Sequence, residues 1–207
     1  MNAFASRTGT RRNLAALRAR GWGLIISATG RHRTEGFELY AIDNGAWTSY
    51  QSGRPWSAIK FVKLVIALGA GARFIILPDI VGGGAASLRL SLEWMPVLRW
   101  YGVLLLIPVQ DGMEPGDLEP HIGPDVGIFV GGSNKAPTWW KVRTMRGWAA
   151  MARSRNAYCH VGRVNSAKRI KMCALSGVDS FDGTSASKFT VTLAPLDKAR
   201  RQLAWLL

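Results

Sequence analysis

Six positions stand out because each comes at or just after the end of a strand-like segment: Asp43 after Tyr-Ala-Ile, Asp79 after Phe-Ile-Ile-Leu-Pro, Gln110 after Leu-Leu-Leu-Ile-Pro-Val, the Gly131-Gly132 pair after Gly-Ile-Phe-Val, Asn165 after His-Val-Gly-Arg-Val, and Asp182 at the end of Asp-Ser-Phe-Asp. Three of them are carboxylates. Carboxylates gathered at one site raise one another's pKa, so that one stays protonated while another is ionised. Such a set suits proton transfer combined with nucleophilic attack. Glycines at a strand end either take a turn with positive φ or let a ligand approach the backbone, and both readings stand for Gly131-Gly132. Asp43 also fits an Asx turn in Asp-Asn-Gly, Asp79 a helix cap, Gln110 a turn beside Asp111-Gly112, and Asp182 a loop residue bonding its own backbone.

The elements that must position these residues are strands alternating with helices. Strands are expected at Gly23 to Thr29, Tyr40 to Asn44, Arg73 to Asp79, Val103 to Gln110, Asp125 to Val130, Tyr158 to Val164 and Asp179 to Asp182. Helices are expected at Arg12 to Arg20, Pro55 to Leu68, Ala85 to Trp100, Thr138 to Arg155, Ser166 to Leu175 and Pro195 to Leu207. Several strands are apolar throughout, as buried parallel strands are. This alternation selects a parallel sheet covered by helices, and the polar strand ends favour closure: only a closed barrel brings them to one mouth. The expectation is therefore a compact (β/α)8 barrel spanning 1–207 as a single domain, opening with a basic helical segment at 1–22. A barrel of 207 residues is short. One element should be reduced, and Glu114 to Pro124, with Pro115, Pro120 and Pro124, is where a helix would shrink to a loop.

Charge narrows the partner. The chain carries 27 Lys and Arg against 13 Asp and Glu, a net +14. The excess is segregated: residues 134–178 contain ten basic residues and no acid, interleaved with Trp139, Trp140, Trp148 and Tyr158. A face of that kind fits a polyanion held through its phosphates, although a solvated helix surface is the plain alternative. Lys141, Arg143, Arg146, Arg153 and Arg163 are the candidate phosphate contacts. His160 and Asn165 share a strand region with Arg163 and are further site candidates; His160 fits a core histidine equally well. Two cysteines, Cys159 and Cys173, exclude a disulfide scaffold and fit core positions. No apolar run reaches membrane-spanning length, so a soluble cytoplasmic protein with no membrane partner is expected, its oligomeric state unspecified. Gly82-Gly83-Gly84 lacks the spacing of a nucleotide-phosphate loop.

In collinear order from about residue 40 to 187, these pieces resemble the tRNA-guanine transglycosylases. In size and lack of extra domains they are more similar to the phage-type relatives that insert 7-deazaguanines into DNA. Ile42-Asp43-Asn44-Gly45-Ala46 resembles the family's Asp-Ser-Gly-Gly turn, Leu77-Pro78-Asp79-Ile80 its base-reading aspartate, and Val109-Gln110-Asp111-Gly112 its Val-Gln-Gly element. Val130-Gly131-Gly132-Ser133 is similar to its Val-Gly-Gly turn, and Gly177-Val178-Asp179-Ser180-Phe181-Asp182 to its Gly-Val-Asp-x-Phe-Asp stretch. His160 to Ser166 takes the place of the family's Gly-Val-Gly-Thr strand. The Cys-x-Cys-x-x-Cys zinc cluster is absent, as is the Cys-Val-x-Pro-Thr-Arg that follows the nucleophile in tRNA-acting members.

The resemblance implies a transglycosylase that replaces guanine in DNA with a 7-deazaguanine base. It implies Asp182 as the nucleophile, with Asp179 an alternative, and Asp43 as general acid/base. Asp79, Gln110 and an amide of Gly131 or Gly132 would read the purine, with Trp47 or Phe181 stacking on it. No metal or cofactor is implied, and DNA is favoured over tRNA. A hydrolytic N-glycosylase and a non-catalytic nucleic-acid binder are the competing readings.

Overall fold

The computed structural model describes residues 1–7, 10–132, 139–188 and 190–202; side chains at 139, 140, 142, 143 and 190 are outside the description. Eight parallel strands close into a barrel in chain order: β1 (Asn2–Ser6), β2 (Gly23–Ser27), β3 (Tyr40–Asp43), β4 (Phe74–Ile76), β5 (Leu104–Val109), β6 (Val126–Val130), β7 (Cys159–Val161) and β8 (Ser180–Gly183). β8 pairs with β1 through Asn2↔Ser180 and Phe4↔Asp182, which completes the ring.

The period of two along each strand explains both the fold and its core. One set of side chains points inward: Phe4, Ile25, Ala41, Phe74, Ile76 and Leu106 fill the barrel. The other set, including Leu24, Ile26, Ile75, Ile107 and Ile128, points outward and is covered by helices. Both faces of the central strands are buried, and this is why β4, β5 and β6 read as apolar runs. Gly127 lies where a Cβ would sit 2.3 Å from the Tyr158 carbonyl oxygen, so only glycine lets β6 approach the residue before β7.

The helices form the outer ring. α1 (Arg11–Ala19) starts at Thr10, whose side chain accepts from the Asn13 amide. α2 (Ala46–Ser52) and α3 (Ala58–Leu68) follow β3; Ser57 caps α3, so the helix begins three residues after the expected Pro55. α4 (Gly84–Arg99), α5 (Pro115–Leu118), α6 (Trp139–Ser154), α7 (Ala167–Leu175), α8 (Ser185–Lys188) and α9 (Thr190–Gln202) complete the set. Glu114 to Pro124 holds only the single-turn α5 and a 3-10 turn at Glu119–His121, the expected reduced element. A second reduction falls between β2 and β3, where residues 28–39 contain no helix. Pro195 stands inside α9, which starts five residues earlier. Among the described residues no helix is long and apolar enough to cross a membrane.

The first 22 residues correct the expected helical segment. Residues 2–6 form β1, and the helix comes only after them. Asn-Ala-Phe-Ala-Ser is too short and too alanine-rich to stand out as a strand. Its place is fixed by tertiary contacts: the Asn2 amide donates to the Asp179 carbonyl at 2.9 Å, and Phe4 packs edge-on against Phe74 at 5.3 Å. Phe4→Ala should therefore cost ~3–5 kcal/mol in urea unfolding, as a buried aromatic does. A loss below ~0.5 kcal/mol would place Phe4 on the surface instead.

Candidate active site

The C-terminal ends of the strands surround a cavity of about 950 Å³, at the upper end of the range for small-ligand sites. Asp43, Asp79 and Asp182 all line it. Strand parity puts them there: Asp43 and Asp182 continue the inward-facing sets of β3 and β8, and Asp79 follows β4 by three residues.

Each carboxylate is held by neutral N–H or O–H donors. Asp79 sits between two side-chain amides, accepting from Asn44 Nδ2 at 2.8 Å on Oδ1 and from Gln110 Nε2 on Oδ2. Both amides are themselves anchored. Asn44 Oδ1 accepts from the Ala46 amide at 2.7 Å, and Gln110 Oε1 accepts from the Gly82 amide at 3.1 Å. Gly82, at φ +70, turns that amide back toward Gln110. Burial pushes the Asp79 carboxyl up to about 7; nearby Asp43 raises it as well, while the two amides oppose the shift. Burial likewise raises Asp43 to about 6, with Asp182 adding repulsion and Ser27 and the Gly45 amide holding the charged form. Asp182 accepts from the Arg163 amide at 3.2 Å on Oδ1 and faces His160 Nε2 at 3.0 Å on Oδ2.

Cations gather on the side of the cavity formed after β6, β7 and β8: Lys141, Arg163, Arg169 and Lys188. Lys141 Nζ donates to the Gly162 carbonyl at 2.7 Å, and burial beside Arg163 pulls its amine down to about 7. Arg163 has a left-handed backbone, φ 61, uncommon outside glycine. That conformation aims its amide at Asp182 and lets its guanidinium donate to the Gly132 carbonyl and lie 3.8 Å from the Trp47 ring centroid. Gly162 beside it has no room for a side chain, since a Cβ would meet Phe129 at 2.5 Å and Asp182 Oδ2 at 3.2 Å.

The other expected residues divide clearly. Gln110, Gly131 and Gly132 line the cavity, but the Gly131 amide is committed to the Val109 carbonyl at 3.1 Å and is not free to meet a base. Asn165 lines the cavity while its Oδ1 accepts from the Ser185 amide, shaping the β8–α8 turn. Asp179 is at the opposite end of β8. It accepts from the Cys159 amide at 2.8 Å and borders a separate cavity of about 410 Å³, so it cannot stand in for Asp182. Arg153 is at that same far end and donates to Gly177, away from the mouth. Arg146 is exposed midway along α6, and the side chains of Arg143, Trp139 and Trp140 lie outside the description. Phe181 faces outward onto Trp22 at 5.7 Å, so of the two expected stacking residues only Trp47 lines the cavity. Burial raises both cysteine thiols, which keeps them protonated and unreactive.

Several contributors carried too little sequence signal. Asn44 reads as half of a turn, Ser27 as a strand residue, and Arg169 and Lys188 as helix-surface charge. Compared with known proteins, the chain matches no family model and no curated protein.

The two raised carboxyls have a consequence for stability. Unfolded, both would titrate near 3.8. The folded state thus holds more protons across the interval up to about 6 for Asp43 and about 7 for Asp79. Their stabilising contribution is complete below the unfolded value and is lost as pH rises through those two folded values. An Asp43→Asn/Asp79→Asn variant should flatten the fall in urea midpoint between about pH 4 and 8; a slope equal to wild type contradicts the assignment.

Proposed function

We propose that the protein is a base-exchange transglycosylase that replaces guanine in DNA with a 7-deazaguanine base through a covalent Asp182–glycosyl intermediate. The observation that carries the reading is the convergence of Asp43, Asp79 and Asp182 on one cavity, with an amide on each Asp79 oxygen. Those amides leave lone pairs of both oxygens to accept a side-by-side donor pair, the arrangement of the N1–H and exocyclic amine of guanine. The Gly132 amide meets the O6 side. Gln110 acts chiefly by holding Asp79, a change from the direct base contact expected of it.

The chemistry follows from these positions. An Asp182 oxygen attacks C1′ as the C1′–N9 bond breaks, and the carboxylate stabilises the positive charge that develops on the sugar. Guanine departs with a proton supplied by Asp43, whose carboxyl near 6 can give and take a proton close to neutrality. The incoming 7-deazaguanine loses its N9 proton to Asp43, attacks C1′ and releases Asp182. The target nucleotide must be flipped or single stranded to enter. Lys141, Arg163, Arg169 and Lys188, with Arg31 across the mouth, would hold its phosphates.

Incubation of DNA with labelled guanine or 7-cyano-7-deazaguanine should put label into polymer without abasic sites, and Asp182→Asn should lower that rate by at least ~10³-fold. Abasic-site formation would favour the hydrolytic reading, and label incorporation unaffected at Asp182 would contradict the nucleophile. Separately, Arg169→Glu/Lys188→Glu should weaken DNA binding and flatten its salt dependence, while Arg153→Glu leaves both unchanged. The reverse pattern would place the polymer at the other end of the barrel.

A further inference from the structure

His160 is fully buried on the inner wall of the barrel. Phe129 stacks on its ring at 5.3 Å and 14°, and Phe74 and Phe4 close it in at 5.0 and 5.9 Å. An apolar side chain would fill that box at lower cost, because a buried imidazole must satisfy two nitrogens. Both are satisfied by inward-facing residues of β8. Nδ1 lies 2.6 Å from Ser180 Oγ, and Nε2 lies 3.0 Å from Asp182 Oδ2. The pairing of His160 with Ser180 in the β7–β8 register sets this spacing.

The exchange reading needs an ionised Asp182, which only accepts; a neutral ring opposite it carries its hydrogen on Nε2 and accepts at Nδ1 from the Ser180 hydroxyl. The Arg163 amide holds the other oxygen of Asp182. A carboxylate's terminal torsion is broad when unrestrained, and two donors from fixed backbone and a packed ring remove that freedom.

We propose that the Ser180–His160 pair is a positioning device, which fixes the plane of the Asp182 carboxylate for attack on the sugar through a neutral Nε2–H donor. The inference rests on the covalent-exchange reading above. His160 itself touches no substrate atom: the Asp182 carboxylate and the buried ring floor stand between it and the cavity, whose lining does not include it.

The test uses His160→Leu, His160→Gln and Ser180→Ala in the full chain, with single-turnover formation of the protein–DNA adduct measured beside DNA affinity. His160→Leu, which keeps the packing and removes the donor, should slow adduct formation about ten- to a hundred-fold with DNA affinity unchanged. His160→Gln, which retains an N–H donor, should recover most of the rate. Nitrogen-15 shifts of His160 in the ligand-free protein should report Nε2–H in wild type, with the Nδ1 resonance moving toward that of an unbonded pyridine-type nitrogen in Ser180→Ala. A wild type that forms the adduct while His160→Leu reacts within twofold of it overturns the positioning role and leaves the exchange reading standing. A wild type that forms no adduct overturns the exchange reading and this inference with it. Should His160→Leu fail to fold, Ser180→Ala and the tautomer decide: an Nδ1–H wild type, or a Ser180→Ala variant with unchanged shifts and rate, contradicts the proposal.

Discussion

Burying three carboxylates in one cavity is the constraint on which the rest of the structure depends. Charge removed from water is costly unless it is hydrogen bonded, and here the donors come from the scaffold itself. Asn44 and Gln110 serve Asp79, Ser27 and the Gly45 amide serve Asp43, and His160 and the Arg163 amide serve Asp182. Amide and hydroxyl donors hold Asp43 and Asp79 in place without adding a full positive charge beside them. Burial pushes both carboxyls up into the range near neutrality, and these donors only partly oppose it.

The closed barrel makes that arrangement available. Strand parity sends every second residue inward, so a polar residue at the last inward position of a strand must face the mouth. The layer beneath is apolar and close fitting: Phe4, Phe74 and Phe129 surround His160, and Gly162 leaves space for Phe129 and Asp182 together. The unusual backbone of Arg163 belongs to the same design. One residue in the left-handed region contributes an amide to β8's aspartate, a guanidinium to the carbonyl of Gly132, and a cation–π contact to Trp47. It thereby links turns after β3, β6, β7 and β8 across the mouth.

Much of this was readable in the sequence, for a physical reason. Buried parallel strands are apolar on both faces, so a polar residue closing such a run marks a strand end, as Asp43, Asp79 and Gln110 do; Asp182 ends the mixed segment Asp-Ser-Phe-Asp and is singled out by the motif it resembles. Signals that depend on distant partners were silent. Asn2–Ser6 is a strand only because β2 and β8 pair with it, and Asn44 matters only because β4 delivers Asp79 to it. The basic segment misled in one respect. α6 has 16 residues and is ~24 Å long, so charge that is continuous in sequence runs from the mouth at Lys141 to the far end at Arg153. Asp179 immediately precedes β8 and Asp182 is its third residue, so about 10 Å of extended chain puts them toward different ends of the barrel.

In the proposed exchange Asp182 bonds to the sugar while the other two carboxylates manage the base. Peptide mapping of the adduct trapped between the protein and an oligodeoxynucleotide tests it most directly, because it names the bonded atom's residue. The account predicts a deoxyribosyl mass on the peptide containing Asp182, lost in Asp182→Asn; the same mass on a peptide carrying Asp43, Asp79 or Lys141 instead would contradict it.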